Sequence, residues 1–191
     1  MQNKLILVDA DGVLFDWEWG FDLFMQSQGY DVRPGGEDEY LMHLRYTCDD
    51  ATARRKIKEF NESSSIAFLP PLRDAVEYVQ RLHSEGWQFT CITSLSSLSS
   101  AYDFRRRALD REFGPGVIKE LVCLPTGADK HEALEPYRDS RLWWVEDKPE
   151  NADVGYHMGL NSILMEHGHN ADHKCPYPTV KNWKEIYELI S

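Results

Sequence analysis

The stretch LILVDADGVLFD, residues 5–16, joins a short apolar run to three aspartates. Residues 5–8 are apolar throughout, as in a strand buried on both faces, and Asp9 and Asp11 follow at its end. Side chains two residues apart in an extended chain project to the same side, so these carboxylates face the same space. Their mutual repulsion and their partial burial both cost free energy. Paired carboxylates in such a place form the hard-oxygen site that Mg²⁺ prefers, so the stretch predicts a magnesium site.

The composition is that of a folded protein without a polyanionic partner. Of the 191 residues, 42% are hydrophobic and 12% aromatic, enough to build a core. The length suits one domain with a substantial insertion, or a core with a small accessory lobe. The formal net charge of −11 argues against nucleic-acid polymers and anionic membranes as partners, although one local electropositive pocket would still accept a small anion.

Cysteine usage and hydropathy both indicate a cytoplasmic protein. The four cysteines (Cys48, Cys91, Cys123 and Cys175) are scattered and form no Cys-x-x-Cys pair, so reduced thiols are the simplest interpretation. The apolar run at residues 5–8 is too short for the core of a signal peptide. No segment approaches the length of a membrane span.

Short apolar runs recur along the chain and alternate with amphipathic helical patterns. The runs lie at residues 5–8, 89–93, 121–124, 142–145 and 162–165. Helical periodicity is clear at residues 72–86 and 101–114, and each of these segments ends in glycine. Apolar strands that alternate with helices predict an α/β fold, a Rossmann-like parallel sheet with helices on both faces. Such sheets bind ligands at the carboxyl ends of their strands.

One region interrupts this alternation. About 55 residues separate the first apolar run from the helical pattern that begins at Leu72, too many for a structureless loop. Helical patterns cover residues 16–29, 37–46 and 49–64. Asp16 is expected to cap the helix that carries Trp17, and Asp49 or Asp50 is the expected N-cap of the last of these segments. We expect residues 17–67 to form a small helical cap inserted directly after the first strand, on a core made of residues 1–16 and 68–191.

Polar residues follow the other apolar runs as well. The second run ends in Thr93 and Ser94, the third is followed by Lys130 at the start of a helix, and the fourth ends in Glu146 and Asp147. Taken separately, each feature has a plainer interpretation as a turn, a serine N-cap or a solvated lysine. Because parallel strands bring their carboxyl ends to one edge of the sheet, we expect the four clusters to meet in one site.

The order and content of these clusters resemble the haloacid dehalogenase-like superfamily of phosphotransferases. DADGVLFD at residues 9–16 resembles its first motif, Asp-x-Asp-Gly-x, and Thr93 resembles the hydroxyl of the second. Lys130 resembles the lysine of the third motif, and Glu146-Asp147 the acidic pair of the fourth. The resemblance extends over nearly the whole chain, including residues 68–87, which resemble the link from the cap to the second strand.

The resemblance implies phosphatase chemistry. Asp9 would be the nucleophile that forms an aspartyl-phosphate intermediate, and Asp11 the general acid and then the general base. Mg²⁺ would be held by Asp9, the backbone carbonyl of Asp11, and Asp147. An aspartate at position 11 is what phosphatases of this superfamily carry, which favours a phosphomonoester as substrate.

The same resemblance implies which residues bind the phosphoryl oxygens. Thr93 and Lys130 would hold them directly. Ser94 and backbone N–H groups near Gly12 would assist, at the ends of the second and first strands.

Within the superfamily, the chain is most similar to the 5′(3′)-deoxyribonucleotidase branch. The supporting stretches are DADGVLFDWEWGF (9–21), Thr93-Ser94, VEDKPEN (145–151), His169-Asn170 and residues 182–186. In that branch an aromatic residue after the first motif stacks on the base, and Trp17 occupies the matching position. Glu146 stands where the branch usually has aspartate. It would either bind the metal directly or contact a residue that does. The resemblance implies a magnesium-dependent 5′-nucleotidase whose partner is a small phosphorylated metabolite, a (deoxy)nucleoside monophosphate.

Two alternatives remain open for the function. The same chemistry would serve a sugar phosphate or another small phosphorylated metabolite. A chain of this kind can also be a catalytically inactive, phosphate-binding regulatory module, although every catalytic motif is present here.

The other aromatic residues of the cap have a structural interpretation. Trp19, Phe21 and Phe24 are expected to pack inside it. Residues 40–46 lie in its middle and include candidates for substrate contact, although no spacing argument selects one of them.

The stretch HGHNADHKC, residues 167–175, offers a different metal-binding possibility. His167, His169, His173 and Cys175 carry ligands suited to Zn²⁺. Their spacing fits no closed four-ligand template, so a loop between the last apolar run and a helix at 181–190 is the simpler interpretation.

Overall fold

The computed structural model describes residues 4–191, which form a six-stranded parallel sheet with helices. The strands are β1 (Leu5–Val8), β2 (Gln88–Ser94), β3 (Ile118–Leu124), β4 (Trp143–Glu146), β5 (Asn161–Met165) and β6 (Thr179–Val180). Their order is β3-β2-β1-β4-β5-β6, and every neighbouring pair is parallel. The five apolar runs of the sequence overlap β1 to β5, so the five predicted strands are confirmed. The sixth strand has two residues, too few to give a periodic pattern.

The described residues also form eight α-helices. They are α1 (Trp17–Ser27), α2 (Met42–Arg45), α3 (Asp50–Asn61), α4 (Ala75–Ser84), α5 (Ser99–Phe113), α6 (His131–Leu134), α7 (Pro149–His157) and α8 (Trp183–Ile190). Short 3₁₀ turns lie at Ser64–Phe68, Glu135–Tyr137 and Gly168–Asn170. None of the helices in residues 4–191 is both long and apolar enough to cross a bilayer.

Both faces of the sheet are buried, because alternate residues of β1 belong to different core clusters. Ile6 and Val8 pack in the larger cluster, together with residues of α4, α5 and α8. Leu7 packs in a second cluster with Leu134 of α6 and Met158, which follows α7. A strand that is apolar along its length is what a sheet covered on both faces requires. The predicted α/β, Rossmann-like fold class is therefore confirmed.

Residues 17–67 are helical, as predicted, and contribute α1, α2 and α3. Asp16 caps α1 by accepting a hydrogen bond from the Trp19 N–H at 3.0 Å. Asp49 caps α3 by accepting one from the Thr52 N–H at 2.6 Å. Of the two candidates for that cap, the structure therefore selects Asp49.

The helix expected around residues 37–46 is shorter than predicted and reduces to the single turn of α2. The chain turns before it, where the Glu39 N–H donates to the Gly36 carbonyl at 3.2 Å. A Cβ at Gly36 would lie 2.8 Å from the Arg45 carbonyl oxygen, so the turn passes close to the end of α2. This tertiary contact between two segments replaces the first turns of the expected helix.

The helical segment 17–67 has an aromatic centre. Phe21 is fully buried and stacks on Trp17, with ring centroids 4.6 Å apart, and Phe24 and Phe60 pack around it. The expectation that Trp19 packs inside is wrong, because this residue is 51% exposed. Residues two apart on a helix do not share a face, and Trp19 lies between Trp17 and Phe21 on α1.

The ends of β1 and β4 lie next to each other at the point where the order of the strands reverses. β2 and β3 lie on one side of β1, while β4, β5 and β6 lie on the other. In open parallel sheets the crevice at such a point is where ligands bind, since the loops leaving the two strands run apart. Asp9 follows β1 and Glu146 ends β4, so acidic residues stand on both sides of this crevice.

Candidate active site

A buried lysine joins the ends of β1 and β4. The Lys130 Nζ lies 2.7 Å from Asp9 Oδ2 and 2.7 Å from Glu146 Oε2. Its side chain is 1% exposed and lies over the Trp144 ring, 5.1 Å from the centroid. Burial by itself lowers the pKa of Lys130, but Asp9 and Glu146 outweigh burial and raise this pKa above its ordinary value. The lysine is therefore a permanent positive charge at the sheet edge.

Three carboxylates converge beside this lysine. One oxygen each of Asp9, Glu146 and Asp147 lies within 4.8 Å of the other two, the one such group of acidic, histidine or cysteine side chains in residues 4–191. Burial raises the pKa of Glu146 to about 7, against the opposing effect of Lys130. Burial also raises the pKa of Asp147 well above its ordinary value, and Glu146 and Asp9 add to the shift. Burial therefore disfavours the charged form of both carboxylates, and a divalent cation bound beside them would favour that form.

Both oxygens of Glu146 already have protein partners. Oε2 accepts from Lys130, and Oε1 accepts from the backbone N–H groups of Asp147 at 3.2 Å and Lys148 at 3.0 Å. The Glu146 side chain is also 0% exposed, whereas those of Asp9 and Asp147 are 11% and 17% exposed, so the arrangement favours support of the neighbouring groups over direct metal ligation by Glu146.

Gly12 allows the loops after β1 and β4 to approach closely. Its φ of +74° lies in the left-handed region, and a Cβ there would lie 2.2 Å from Asp147 Oδ2. The Gly12 N–H donates to the Phe15 carbonyl at 2.9 Å, in a turn that is local to the first motif. The geometry therefore supports a steric role for Gly12, and phosphate binding by backbone N–H groups near it stays a prediction.

Two hydroxyl residues end β2 at the same edge. Thr93 and Ser94 both line the cavity above the carboxylates. The Ser94 hydroxyl donates to the Ala128 carbonyl at 2.7 Å. This bond ties the end of β2 to the loop that delivers Lys130, a structural role that the sequence did not predict for Ser94.

Asp11 has a partner that the sequence analysis missed. The Arg105 Nη2 donates to Asp11 Oδ1 at 2.6 Å, and the arginine side chain is completely buried. Burial raises the pKa of Asp11, while Arg105 opposes the rise. A signal was available, because Ala101, Ala108 and Leu109 mark the buried face of α5 and Arg105 falls on that face. Asp11 therefore lies between a buried cation and the cavity.

The loop after β5 braces the loops that carry Asp11 and Asp147. The His167 Nε2 lies 2.7 Å from the Gly12 carbonyl, which fixes its donor role. The Asn170 side chain donates to the Asp147 carbonyl at 2.7 Å and to the Met165 carbonyl at 2.9 Å. His167 and Asn170 thus hold backbone on both sides of the crevice.

The zinc-binding alternative for residues 167–175 does not form. His169 stacks on His167 with ring centroids 5.6 Å apart, and burial lowers the pKa of His169 to about 4. His173 lies 3.9 Å from Asp153 instead, and the Cys175 thiol contacts the Tyr177 carbonyl. Within the described part of the chain, these side chains make no group of three around one point.

A cavity of about 700 Å³ opens above the carboxylates. Its lining includes the predicted site residues Asp9, Asp11, Asp147, Thr93 and Lys130. It also includes residues of the helical segment: Trp17, Tyr40, Leu41, Ile57, Lys58 and Asn61. The predicted site residues therefore share one cavity.

The structure places Trp17 at the cavity wall in a fixed orientation. Its Nε1 donates to Asn61 Oδ1 at 2.9 Å, and one face of its ring is covered by Phe21. Among the tyrosines of residues 40–46, Tyr40 lines the cavity, whereas Tyr46 is buried and its hydroxyl bonds to Asp22. Trp17 and Tyr40 are therefore the two residues among the tryptophans and tyrosines of 17–67 that line the cavity.

Sequence comparison finds one distant relative. The chain matches no protein-family model. It is 23% identical over 155 residues to an uncharacterised 32.4 kDa protein of Enterobacteria phage T4, from the Gp30-rIII intergenic region. The match covers 78% of this chain and 55% of the phage protein, so the chain spans about half the length of that relative.

Structural comparison identifies the fold. A haloacid dehalogenase-like hydrolase of Streptococcus pneumoniae is similar with a TM-score of 0.67 at 15% identity, over 100% of this chain and 99% of that one. YfnB of Bacillus subtilis, described as a HAD-hydrolase bound to magnesium, has a TM-score of 0.64 at 14% identity, with 100% of both chains covered. CbbY of Rhodobacter sphaeroides, in complex with phosphate, has a TM-score of 0.59 at 16% identity, with 96% of both covered. The chain therefore has the haloacid dehalogenase-like fold.

Proposed function

We propose that this protein is a magnesium-dependent phosphomonoesterase that works through an aspartyl-phosphate intermediate. The observation that carries the proposal is the contact of Lys130 with both Asp9 and Glu146, at 2.7 Å each, in a haloacid dehalogenase-like fold. It joins a candidate nucleophile to a buried cation at the ligand-binding edge of the sheet. Asp11 and Asp147 line the same cavity.

In the proposed reaction Asp9 is the nucleophile. A bond forms between its carboxylate oxygen and phosphorus as the bond from phosphorus to the leaving oxygen breaks, and Asp11 gives that oxygen a proton. Asp11 then removes a proton from water, which attacks phosphorus and releases inorganic phosphate and free Asp9. Lys130 and Thr93 bind the phosphoryl oxygens, where fixed donors stabilise the developing charge.

The donor set fits Mg²⁺. Carboxylate and carbonyl oxygens are the hard ligands that this ion prefers. Asp9, Glu146 and Asp147 bring three carboxylates together beside one lysine, Lys130, and a divalent cation would offset the negative charge that Lys130 leaves unbalanced. Asp9, the Asp11 carbonyl and Asp147 would hold it. When bound, the ion would neutralise charge on the phosphoryl oxygens.

Residues 17–67 serve as a cap over a core of residues 1–16 and 68–191 in this proposal. Trp17 and Ile57, from α1 and α3, line the cavity opposite the strand ends. A wall from a separate helical segment can select the organic part of a substrate, while the strand ends perform the chemistry.

A nucleoside monophosphate is the proposed substrate. A cavity of about 700 Å³ lies within the usual range for small-molecule sites. Trp17 offers a held aromatic ring, Tyr40 a second one, and Leu41 and Ile57 an apolar surface. A nucleobase has a flat π face that stacks on such rings, whereas a sugar phosphate has none, so the two aromatic rings favour a nucleotide.

A phosphate-release screen across nucleoside monophosphates and sugar phosphates, with and without Mg²⁺, tests this proposal. We expect turnover of dUMP or dTMP well above that of sugar phosphates, and loss of turnover in EDTA. Preference for a sugar phosphate would leave the chemistry standing and reject the nucleotidase assignment. Absence of phosphate release from every monoester would reject the enzyme assignment.

Mg²⁺ is expected to raise the melting temperature of the wild type. An ion present at 100 times its Kd that binds only the folded state stabilises it by about 2.7 kcal/mol. Asp147→Asn is expected to remove most of the shift, whereas Asp103→Asn, at an exposed position on α5, is expected to retain it. Thermal denaturation in Mg²⁺ and in EDTA measures the effect, and a full shift in the Asp147 variant would contradict the assigned ligand.

Trp17→Ala is expected to raise KM for a nucleoside monophosphate by roughly 5- to 150-fold, since stacking on a base contributes about 1–3 kcal/mol. The value of kcat is expected to change little, because stacking on the base is the same in the ground state and in the transition state. Trp19→Ala is the matched control, at an exposed position of the same helix. Steady-state kinetics on both variants would show equal KM values if Trp17 had no contact with substrate.

A further inference from the structure

Arg105 is a charged side chain without access to solvent. It lies on α5, its side chain is 0% exposed, and its guanidinium carbon is 5.1 Å from the Phe15 ring centroid. Its Nη2 lies 2.6 Å from Asp11 Oδ1. The Nε and Nη1 atoms are buried and have no hydrogen-bond partner among residues 4–191.

This ion pair is poorly arranged for stability alone. A buried guanidinium is costly unless its donors are satisfied, and an apolar residue of similar volume is often no less stable. Here two of the three nitrogens of Arg105 lack a partner. The single bond goes to Asp11, whose side chain is 22% exposed and lines the cavity. An unsatisfied buried group of this kind calls for an explanation in function.

We propose that Arg105 is a positioning residue that orients the Asp11 carboxylate toward the leaving oxygen of the substrate. The inference rests on the proposed function, in which Asp11 donates the proton to that oxygen. A charge-assisted bond from a tightly packed donor fixes one carboxylate oxygen and leaves the other for proton transfer. The packing comes from α5, where Ala101, Ala108 and Leu109 are buried on the same side as Arg105.

The other buried cation of the site does not perform this task. Lys130 lies between Asp9 and Glu146, and both contacts are 2.7 Å long. Asp11 lies outside the group that Asp9, Glu146 and Asp147 form. The two cations therefore divide the site, with Lys130 beside the nucleophile and Arg105 beside the proton donor.

Orientation of Asp11 matters most when the leaving oxygen is strongly basic. A nucleoside 5′-monophosphate releases an alkoxide, which needs a proton as the phosphorus–oxygen bond breaks. p-Nitrophenyl phosphate releases a stable phenolate, which leaves without one. A misoriented Asp11 should therefore lower the rate of cleavage of the alkyl ester and leave that of the aryl ester nearly unchanged.

The test compares kcat/KM for the two esters in variants of Arg105, because kcat/KM excludes the later hydrolysis of the intermediate. We expect Arg105→Gln to lower kcat/KM about 10²-fold for the alkyl ester and by less than about threefold for the aryl ester. Arg105→Lys keeps the positive charge but not the fixed direction of the donor. Its kcat/KM for the alkyl ester is expected to lie between those of the wild type and of Arg105→Gln. Arg106→Lys is the matched control, since Arg106 is the next residue on α5 and binds Asp110 instead.

A double-mutant cycle with Asp11→Asn separates orientation of Asp11 from general damage. If Arg105 acts through Asp11, adding Arg105→Gln to Asp11→Asn lowers the alkyl-ester rate by less than about twofold. Equal losses on the two esters, or losses that multiply in the double variant, would overturn the inference. If the glutamine variant does not fold, the lysine variant provides the same comparison. Failure of the proposed function looks different, because the wild type then releases phosphate from neither ester.

Discussion

Replacement of Asp9 by asparagine is expected to lower phosphate release by roughly 10⁴-fold or more, the scale of loss when a nucleophile is removed. The amide keeps the shape of the carboxylate but cannot attack phosphorus. Asp9 lies 2.7 Å from Lys130, at the point where β1 ends and the cavity begins. The measurement is phosphate release from the best substrate of the screen at saturating Mg²⁺, with the melting temperature recorded to show that the variant is folded.

Asp16→Asn is the matched control for this prediction. Asp16 belongs to the same stretch of sequence, but its carboxylate caps α1 through the Trp19 N–H. Asparagine caps helices about as well as aspartate, so this variant is expected to keep its fold and activity. If Asp9→Asn retained a tenth or more of the wild-type rate while Asp16→Asn behaved as expected, Asp9 would not be the nucleophile.

Replacement of Lys130 by methionine is expected to lower the free energy of unfolding by about 3–5 kcal/mol, the usual cost of removing one partner of a buried ion pair. Methionine fills a similar volume but leaves Asp9 and Glu146 without their cation. Urea denaturation in EDTA measures the loss. Lys184→Met is the control, because its ion pair with Glu188 is exposed and such pairs contribute about 0–1 kcal/mol.

Two further measurements show whether uncompensated charge causes the loss. Adding Glu146→Gln to Lys130→Met removes one of the stranded carboxylates and is expected to recover part of the stability. Lowering the pH should act in the same direction. Glu146 and Asp147 already have raised pKa values, that of Glu146 about 7. Without Lys130 the folded state therefore binds more protons than the unfolded state, and its stability rises as pH falls from about 7 toward the ordinary carboxylate pKa of about 4. A loss below about 1 kcal/mol would show that Lys130 is not the main compensating charge.

Much of the site was predictable because its signals are local. The period of two in a strand places Asp9 and Asp11 on one side, and the apolar residues before them identify β1. The same logic located Lys130 and Asp147 after later strands, at the edge where the cavity lies. The capping role of Asp16 followed from its position before a helical pattern.

Other parts of the site depend on contacts that no local pattern contains. Three arginines stand together at residues 105–107, and although helical periodicity places Arg105 on the buried face of α5, it does not show which group Arg105 meets there. Its partner Asp11 is 94 positions away in the chain. His167 and Gly12 are 155 positions apart, yet 2.7 Å separates the imidazole from the carbonyl.

The sequence by itself determined the α/β sheet and the edge at which the reactive residues gather, because apolar periodicity and the residues that end strands are properties of short segments. The tertiary structure alone decided which groups meet there: Arg105 with Asp11, and Lys130 with Asp9 and Glu146. The physical reason is that a buried charge or polar group is stable only beside a partner. That partner is supplied by whichever distant segment the packed helices and strands bring next to it.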